Sequence, residues 1–524
     1  MSEKKLLIIN SKENIKIDKK YFSYINIGDG RVDIKSSIEI NLSNERKKYY
    51  CKYKNKLIEL LNKKIKASQL KLNSFVEFEI FNLRNDKIPN INLIINILIV
   101  RNIIKKKKFN KISLITDDNL TTRIFEQLFP QIEIVSGNTR EVKNNLIFLK
   151  ITKFYIKSFF VTVFLKFFKK IKLKKNTYEE ACLSLKPIFF RNGDEIFFNK
   201  KNAIKLNFLL SDETHLSLSL FDIFKLISKK NEENFLNVEY FIYLSDLLKN
   251  LIKSYKMLFI LRQLNLNFKI DKVDFSDFYK DYINTSLINR AKLNIYNQAL
   301  VHLLKTLKVR KFNIYLFEYN FGFFLINLIK TNLKNIKIIG YQHGIFSDKL
   351  LWFNLITKNK NKINYLPHEI ISFNSQSKKD YEKIIKTNKI KFKLVEKKES
   401  EISRHFLSSN NPKHKNYILI LPGTHDAREV LDKIKSKVSN NFNIKDIFYF
   451  KFHPKFRILE NNSKNIRIIS SIKNKKFKTA LISSTSTLVY DFIKLKKEFM
   501  VYDFDNKENF ISNGLSKKIK FYKI

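Results

Sequence analysis

The chain has 524 residues, of which 44% are hydrophobic and 14% aromatic, so it is long enough for two or three domains and is not a largely disordered protein. Its net charge is +51, but lysine is spread along the whole length without any helix-turn-helix, zinc-knuckle or RNP-like pattern, so we expect no nucleic-acid partner. Cys51 and Cys182 lack metal-ligand spacing, and the N-terminal apolar run is too short for a signal peptide. We therefore expect a cytoplasmic protein.

The first 150 residues predict an α/β region. Residues 6–9 have the pattern of a strand and 91–104 that of an apolar helix. A strand at 112–116, a helix at 119–129 and a strand at 132–135 then form a β-α-β unit. This alternation is typical of a parallel sheet.

Residues 151–310 are expected to be a mostly helical insertion. The segment 154–172 is apolar and basic together, with lysines that interrupt it too often for a bilayer span. Two interpretations stay open. It is either an interfacial helix on the cytoplasmic face of the inner membrane, or a buried core helix with solvated lysines at its end.

Residues 311–390 predict the core of a first Rossmann-like domain, completed by part of 1–150. A strand at 314–317 precedes Glu318, and a strand at 336–339 leads through Gly340 to Gln342-His343-Gly344. Because parallel strands deliver side chains to one edge of the sheet, we expect Glu318 and His343 to lie together. His343 is the candidate general base, and Glu318 would fix its tautomer. The alternative is a core histidine at a strand end.

The C-terminal part predicts a second Rossmann-like domain. Residues 391–415 are polar and lysine-rich and have the character of a linker. The β-α alternation then resumes in residues 416–524, with strands at 417–421, 447–452, 466–469, 479–482 and 498–501. The fold class expected for the whole chain is therefore α/β.

Three segments of this second domain predict an anion site. The run Ser483-Ser484-Thr485-Ser486-Thr487 lies between a strand and a helix, where hydroxyls and N–H groups bind phosphate or carboxylate, although one of them could simply cap the helix. Lys451 lies in an aromatic strand that His453-Pro454 follow, and Gly423-Thr424-His425 come after the strand at 417–421. No metal is expected, since neither histidine nor cysteine spacing supports one.

The ordered set of Gln342-His343-Gly344, Lys451-Phe452-His453-Pro454 and Ser483-Ser484 resembles bacterial GT-B glycosyltransferases of surface carbohydrate synthesis. It is similar to the CDP-glycerol glycerophosphotransferases in its His-Gly, Lys-x-His-Pro and Ser-Ser elements, and CMP-sugar sialyltransferases and Kdo transferases share the His-Pro and Ser-rich elements. Gln342 and Ile482 stand where the CDP-glycerol enzymes have tryptophan and aspartate.

The resemblance implies two Rossmann-like domains and a metal-independent transfer without a cofactor. The partners would be a nucleotide-activated sugar, CMP- or CDP-linked, as co-substrate and a glycan or lipid-linked acceptor. His343 would be the base. His453 would contact the nucleotide phosphate, and Ser483, Ser484 and Thr485 would hold the phosphate or a donor carboxylate. The further candidate donor contacts, which the sequence alone suggests, are Gly344, Gly423, Thr424, His425, Lys451 and Pro454. An inactive GT-B-like scaffold in carbohydrate assembly is the alternative.

Overall fold

The structure is a computed structural model in which three parallel sheets, of five, seven and six strands, are surrounded by helices. It is thus an α/β protein, as the sequence predicts. The residues that it describes are 5–11, 15–17, 23–28, 32–34, 38–40, 42–62, 91–135, 145–168, 178–183, 203–210, 219–221, 223–224, 235–262, 267–278, 287–288, 290–291, 293–316, 320–342, 344–349, 365–396, 398–408, 416–423, 426–440, 445–453, 462–463, 465–504 and 507–524.

The first sheet uses the N-terminal elements, which are β1 Lys5–Asn10, β2 Ile15–Ile17, β3 Ser23–Asn26, β4 Val32–Ile34, β5 Ile38–Glu39, α1 Ser43–Asn62, α2 Ile91–Lys107, β6 Lys111–Thr116, α3 Asn119–Leu128 and β7 Glu133–Ile134. Its strand order is β5-β3-β1-β6-β7, while β2 and β4 pair separately. The predicted β-α-β unit is confirmed, and Asp118 caps α3 by accepting from the N–H groups of Leu120 and Thr121.

The second sheet uses the middle of the chain. Its elements and their neighbours are α4 Asn145–Phe168, β8 Glu180–Leu183, β9 Ala203–Asn207, β10 Phe235–Asn237, a 3-10 helix Val238–Phe241, α5 Leu244–Arg262, β11 Lys269–Ile270, β12 Val273–Asp274, α6 Tyr296–Thr306, β13 Lys311–Tyr315, α7 Asn320–Asn332, β14 Lys337–Tyr341, β15 Glu369–Ser372, α8 Ser375–Ile385 and β16 Lys391–Leu394. The order is β10-β9-β8-β13-β14-β15-β16, and β11 and β12 form a small hairpin.

The third sheet uses the C-terminal part, with α9 Glu401–His405, β17 Leu407–Ser408, β18 Tyr417–Leu421, α10 Ala427–Asn440, β19 Ile447–Phe450, β20 Ile466–Ile468, β21 Lys476–Phe477, β22 Thr479–Ile482, α11 Leu488–Lys494, β23 Phe499–Asp503, α12 Asn513–Ser516 and β24 Lys520–Lys523. Its order is β20-β19-β18-β22-β23-β24, and β17 pairs with β21.

Each main sheet is doubly wound. The chain starts at an inner strand, moves outward on one side, and returns to the other side of its starting strand. The five- and seven-stranded sheets share one hydrophobic cluster that extends in sequence from Leu6 to Ile390, whereas the six-stranded sheet has a separate cluster on each face. Ile345 belongs to one of these C-terminal clusters although it follows β14 in the sequence.

Three expectations differ from the structure. The region predicted as a mostly helical insertion contributes β8, β9 and β10, and these strands, not the first 150 residues, complete the seven-stranded sheet. The predicted linker begins with β16, which pairs with β15. A further edge strand, β24, follows the last predicted one. These strands are three to five residues long, and polar or charged residues interrupt or end them, so no uninterrupted apolar run marks them in the sequence.

Candidate functional site

The point where the six-stranded sheet reverses its strand order lies between β18 and β22. These strands are parallel neighbours, with Leu421 paired to Ile482 at their carboxyl ends. In doubly wound sheets the connections that leave such a pair diverge to opposite faces and open a crevice that binds ligands. The Gly423 loop leaves β18 here and the Ser483 loop leaves β22, so the fold brings two of the predicted motifs together.

Asp426 joins the two loops. Its Oδ1 accepts the backbone N–H of Gly423 at 2.7 Å, and its Oδ2 accepts the hydroxyl of Ser483 at 2.6 Å. The Ser483 Oγ also lies 2.9 Å from the Thr485 Oγ1 and accepts the Thr485 N–H at 3.2 Å. The carboxylate therefore fixes the geometry of both loops through charge-assisted hydrogen bonds.

Gly423 fits this cluster only because it has no side chain. A Cβ at this position would lie 2.6 Å from Thr485 Oγ1, 2.9 Å from Ser483 Oγ and 3.0 Å from Asp426 Oδ1. Here glycine permits a close approach of backbone to polar side chains. Gly423 and Ser483 are both buried, while Ser484 and Thr485 are partly exposed.

Tyr502 of β23 adds a buried phenol beside the cluster. Burial raises the pKa of Tyr502 well above its usual range, and the charge of Asp426 acts in the same direction. Burial thus favours the neutral form of this phenol.

Lys451 and His453 follow β19, which is the next strand outward from β18. The backbone N–H of Lys451 donates to the Ile420 carbonyl at 3.0 Å, so this segment continues along the same edge of the sheet. Lys451 is partly buried and His453 is exposed. The structure thus places a cation and an imidazole at the carboxyl edge that carries the Asp426 cluster, where an anionic ligand would meet them.

Gln342 fixes the backbone at the end of β14. Its side chain is buried; the Oε1 accepts the N–H of Phe373 at 3.0 Å, and the Nε2 donates to the Gly344 carbonyl at 2.9 Å and to Ser377 Oγ at 3.0 Å. Gly340 lies inside the strand, packed against Leu316 and Pro367, so packing and not ligand approach explains that glycine.

Tyr490 connects this edge to the C-terminal sheet. It belongs to α11, which begins just after the Ser483 loop, and its hydroxyl accepts the N–H of Phe346 at 3.1 Å and the hydroxyl of Ser377 at 2.9 Å. Burial raises the pKa of Tyr490 to about 12. The segment that follows position 343 therefore packs directly against the helix that follows the serine-rich loop.

A second bridge lies close by in the sequence. Lys349 Nζ lies 3.3 Å from Glu508 Oε1 and donates to the Asn509 carbonyl at 2.9 Å, and Asp348 accepts the backbone N–H and the side-chain amide of Asn513 at 3.1 and 2.6 Å. Residues 344–349 are thus held by the C-terminal part at several points, which gives the seven- and six-stranded sheets a defined mutual orientation.

Five of the predicted site residues lie outside the described residues, namely Glu318, His343, Thr424, His425 and Pro454. Of the others, the structure brings Gly423, Ser483 and Thr485 into contact, with Ser484 between them. It places Lys451 and His453 at the same edge of the six-stranded sheet. Gly344 follows β14 of the seven-stranded sheet. Three residues of the site, Asp426, Gln342 and Tyr490, were not predicted from the sequence.

One signal could have identified Asp426, since an aspartate that stands between a buried strand and the helix after it is a common helix-start residue. No such local signal exists for Gln342 or Tyr490.

No protein-family model matches the chain, and no curated protein matches it. Among the residues whose placement is described, no group of three His, Cys, Asp or Glu side chains converges as metal ligands would. Because two of the candidate histidines lie outside those residues, the expectation of a metal-independent site remains a prediction.

Proposed function

We propose that the chain is a GT-B-type glycosyltransferase that moves a sugar or sugar-like group from a nucleotide-activated donor to a surface polysaccharide or a lipid-linked glycan. The observation that carries the proposal is the Asp426 cluster, in which the Gly423 and Ser483 loops meet at the reversal point of a doubly wound sheet. Nucleotides bind at such points. A cytidine-linked donor is favoured by the resemblance of the ordered motifs to enzymes that use CMP- and CDP-linked donors.

In the proposed reaction His343 takes the proton of the acceptor hydroxyl as the acceptor oxygen attacks the donor, and Glu318 orients the imidazole. The bond between the transferred group and the nucleotide phosphate breaks, and the phosphate leaves with the bonding electrons. Lys451 and His453 stabilise this negative charge. Asp426 acts through the two loops by holding them in position, and it contacts neither reactant.

The site would lie between two of the three doubly wound sheets, with the donor on the six-stranded sheet and the acceptor on the seven-stranded one. The contact of Phe346 with Tyr490 supports this arrangement, because it brings the segment after His343 next to the helix after the Ser483 loop. Holding both reactants in a fixed geometry is a large part of catalysis in such transfers. We further propose that the protein works at the cytoplasmic face of the inner membrane.

An inactive scaffold is the second candidate. The observation that favours it is that the Ser483 hydroxyl donates to Asp426 and that the Gln342 amide is saturated by protein groups. In this case the cluster would maintain the fold alone. Nucleotide binding and turnover would both be absent.

The test is release of CMP or CDP from cytidine-linked sugar donors in the presence of glycan acceptors. The wild-type chain should release nucleotide, and His343→Ala should abolish release while retaining nucleotide binding. A matched control is His405→Ala, since His405 is partly exposed on α9 and outside the proposed site. Full activity of His343→Ala would contradict the assignment of the base.

A further inference from the structure

The exposed apolar surface of this protein is concentrated on one pair of helices. Among the described residues 19 large hydrophobic side chains are exposed, and 15 of them lie on α4, on α5, or on the neighbouring residues 220, 221 and 243, so their position is not random. They are Phe148, Leu149, Ile156, Phe159, Phe160, Phe167, Phe168, Leu220, Phe221, Tyr243, Leu244, Leu248, Ile252, Phe259 and Ile260.

The two helices form a single surface because they pack side by side. Thr152 Oγ1 lies 2.7 Å from the hydroxyl of Tyr255, the Tyr155 hydroxyl lies 3.1 Å from Ser254 Oγ, and the rings of Phe148 and Tyr255 stack with centroids 4.5 Å apart. Their inner faces join the main hydrophobic cluster. The outer apolar faces are therefore left on the same side of the protein.

Both outer faces have the same helical arrangement. On α5 the side chains of Leu244, Leu248, Ile252 and Phe259 recur at helical spacing and form one stripe. On α4 the corresponding stripe is formed by Leu149, Ile156, Phe160 and Phe167. Phe167 is 81% exposed and Phe259 is 62% exposed. Helix α4 carries apolar side chains on its exposed side as well as on the side that is buried in the protein.

Lysines border each apolar stripe. By the same helical spacing, Lys150, Lys153 and Lys157 lie along one side of the α4 stripe, and Lys249, Lys253 and Lys256 lie along one side of the α5 stripe. Helix α4 has no acidic residue and α5 has one, Asp246. The surface is thus apolar along its centre and positively charged along its margins.

We propose that this surface, formed by α4 and α5, binds the face of an anionic lipid bilayer. A bilayer has both matching features, an apolar interior for the phenylalanine and leucine side chains and anionic head groups for the lysines. A second copy of the chain is a poorer partner. Contact between two such surfaces would bring the lysine rows of the two copies together, and their like charges would repel. No described helix is long and apolar enough to cross a membrane, which agrees with helices that lie in the interface.

The test is flotation of the full-length chain with vesicles of phosphatidylcholine, with and without phosphatidylglycerol. The chain should float with the anionic vesicles. A protein with a net charge of +51 binds anionic surfaces unspecifically. Binding by variants of the α4–α5 surface is therefore compared with binding by control variants. The double changes Phe160→Ser with Phe167→Ser, or Leu248→Ser with Phe259→Ser, should lower the partition coefficient about tenfold or more. The matched control Ile134→Ser with Phe521→Ser changes two exposed apolar residues elsewhere and should have no effect.

The lysine rows are tested in the same way. Replacing Lys249, Lys253 and Lys256 by glutamine should lower binding to the anionic vesicles about tenfold or more, whereas replacing the exposed Lys517, Lys518 and Lys520 by glutamine removes the same charge and should lower it little. Equal losses in the two triple variants, or binding that the apolar changes leave unaltered, would overturn the proposal. So would dimerisation, measured by sedimentation, that the apolar changes abolish while vesicles do not bind.

Insertion of the α4 side chains into the bilayer is measured separately, by tryptophan fluorescence. In Phe160→Trp the introduced indole should shift its fluorescence to shorter wavelength when anionic vesicles are added, and in Phe521→Trp it should not. Absence of the shift in Phe160→Trp would contradict insertion of this face. No donor or acceptor is present in these experiments, so their outcome is independent of the proposed transferase activity.

Discussion

Asp426 and Ser483 meet across the reversal point of the six-stranded sheet, with the Ser483 hydroxyl 2.6 Å from Asp426 Oδ2. They are 57 residues apart in the sequence, and each follows one of the two central parallel strands. A carboxylate that also accepts the Gly423 N–H sets the shape of both loops at once.

Replacing Asp426 by alanine should lower the free energy of unfolding by about 2 kcal/mol, because the Gly423 N–H and the Ser483 hydroxyl lose a charged acceptor. Asp426→Asn should lose less, since an amide oxygen can still accept from Gly423. Urea unfolding measures the change. The control Asp432→Ala, on the same helix, removes an exposed pair with Arg428 and should cost less than about 0.5 kcal/mol. Equal effects of the two alanine variants would show that the cluster does not hold the loops.

Gly423→Ala should destabilise the protein by about 1–3 kcal/mol, because its Cβ would collide with three polar side-chain atoms. It should also weaken any nucleotide binding, since the loops must separate to admit the methyl group. Gly344→Ala is the matched control, because no described atom lies within 4 Å of a Cβ there. The melting temperatures of both variants are measured by thermal unfolding. An unchanged melting temperature of Gly423→Ala would contradict the observed packing.

Tyr490→Phe removes the hydroxyl that accepts from Phe346 and Ser377. We expect a loss of about 1–2 kcal/mol in unfolding free energy, together with faster proteolysis near residues 344–349. Tyr522→Phe is the control, because the bond that it removes, from Lys437 Nζ to the Tyr522 hydroxyl, lies at the protein surface. If proteolysis is unchanged in Tyr490→Phe, this tyrosine does not connect the two sheets.

Glu239 should make the free energy of unfolding depend on pH. It is buried in the 3-10 helix, where its Oε1 accepts from the Tyr296 hydroxyl at 2.5 Å and from the Leu210 N–H at 3.0 Å. Burial raises the pKa of Glu239 from 4.5 to about 7. Between these pH values the folded state keeps a proton that the unfolded state loses, so the contribution of this residue falls as the pH rises, by on the order of 3 kcal/mol.

Glu239→Gln stays neutral and should remove this part of the slope, so that the variant gains stability relative to the wild type as the pH rises from about 4.5 to 7. Urea unfolding across this pH range measures it. The exposed Glu382→Gln is the control and should follow the wild-type profile. Parallel profiles for Glu239→Gln and the wild type would show that Glu239 does not titrate in this range.

The sequence predicted the C-terminal sheet well, and the strands at 417–421 and 479–482 have the predicted bounds. Both are uninterrupted apolar runs between polar segments, which is the strongest signal for a buried parallel strand. The strands β8, β9 and β10 were missed because polar residues interrupt or end them: Glu180 begins β8, Lys205 stands inside β9 and Asn237 ends β10. Strand β24 was missed because a lysine stands at each end of it.

The contacts of the candidate site could be predicted only in part. The motifs at Gly423 and Ser483 were found, since glycine and clustered hydroxyls after strands are local signals. The bond that joins them through Asp426 depends on the strand order, which a single sequence does not specify. For helix α4 the interpretation as a core helix describes the inner side chains, which are buried, whereas the interpretation of its exposed outer side as an interfacial face stays a prediction.

The most direct test of the proposed donor site is a titration of the purified chain, without added metal, with CMP, CDP, UDP and GDP while the melting temperature is followed. A ligand that binds only the folded state raises this temperature. We predict stabilisation by a cytidine nucleotide that is lost in His453→Ala and retained in His405→Ala. If none of the four nucleotides stabilises the chain, the transferase proposal is contradicted and the scaffold becomes the better account.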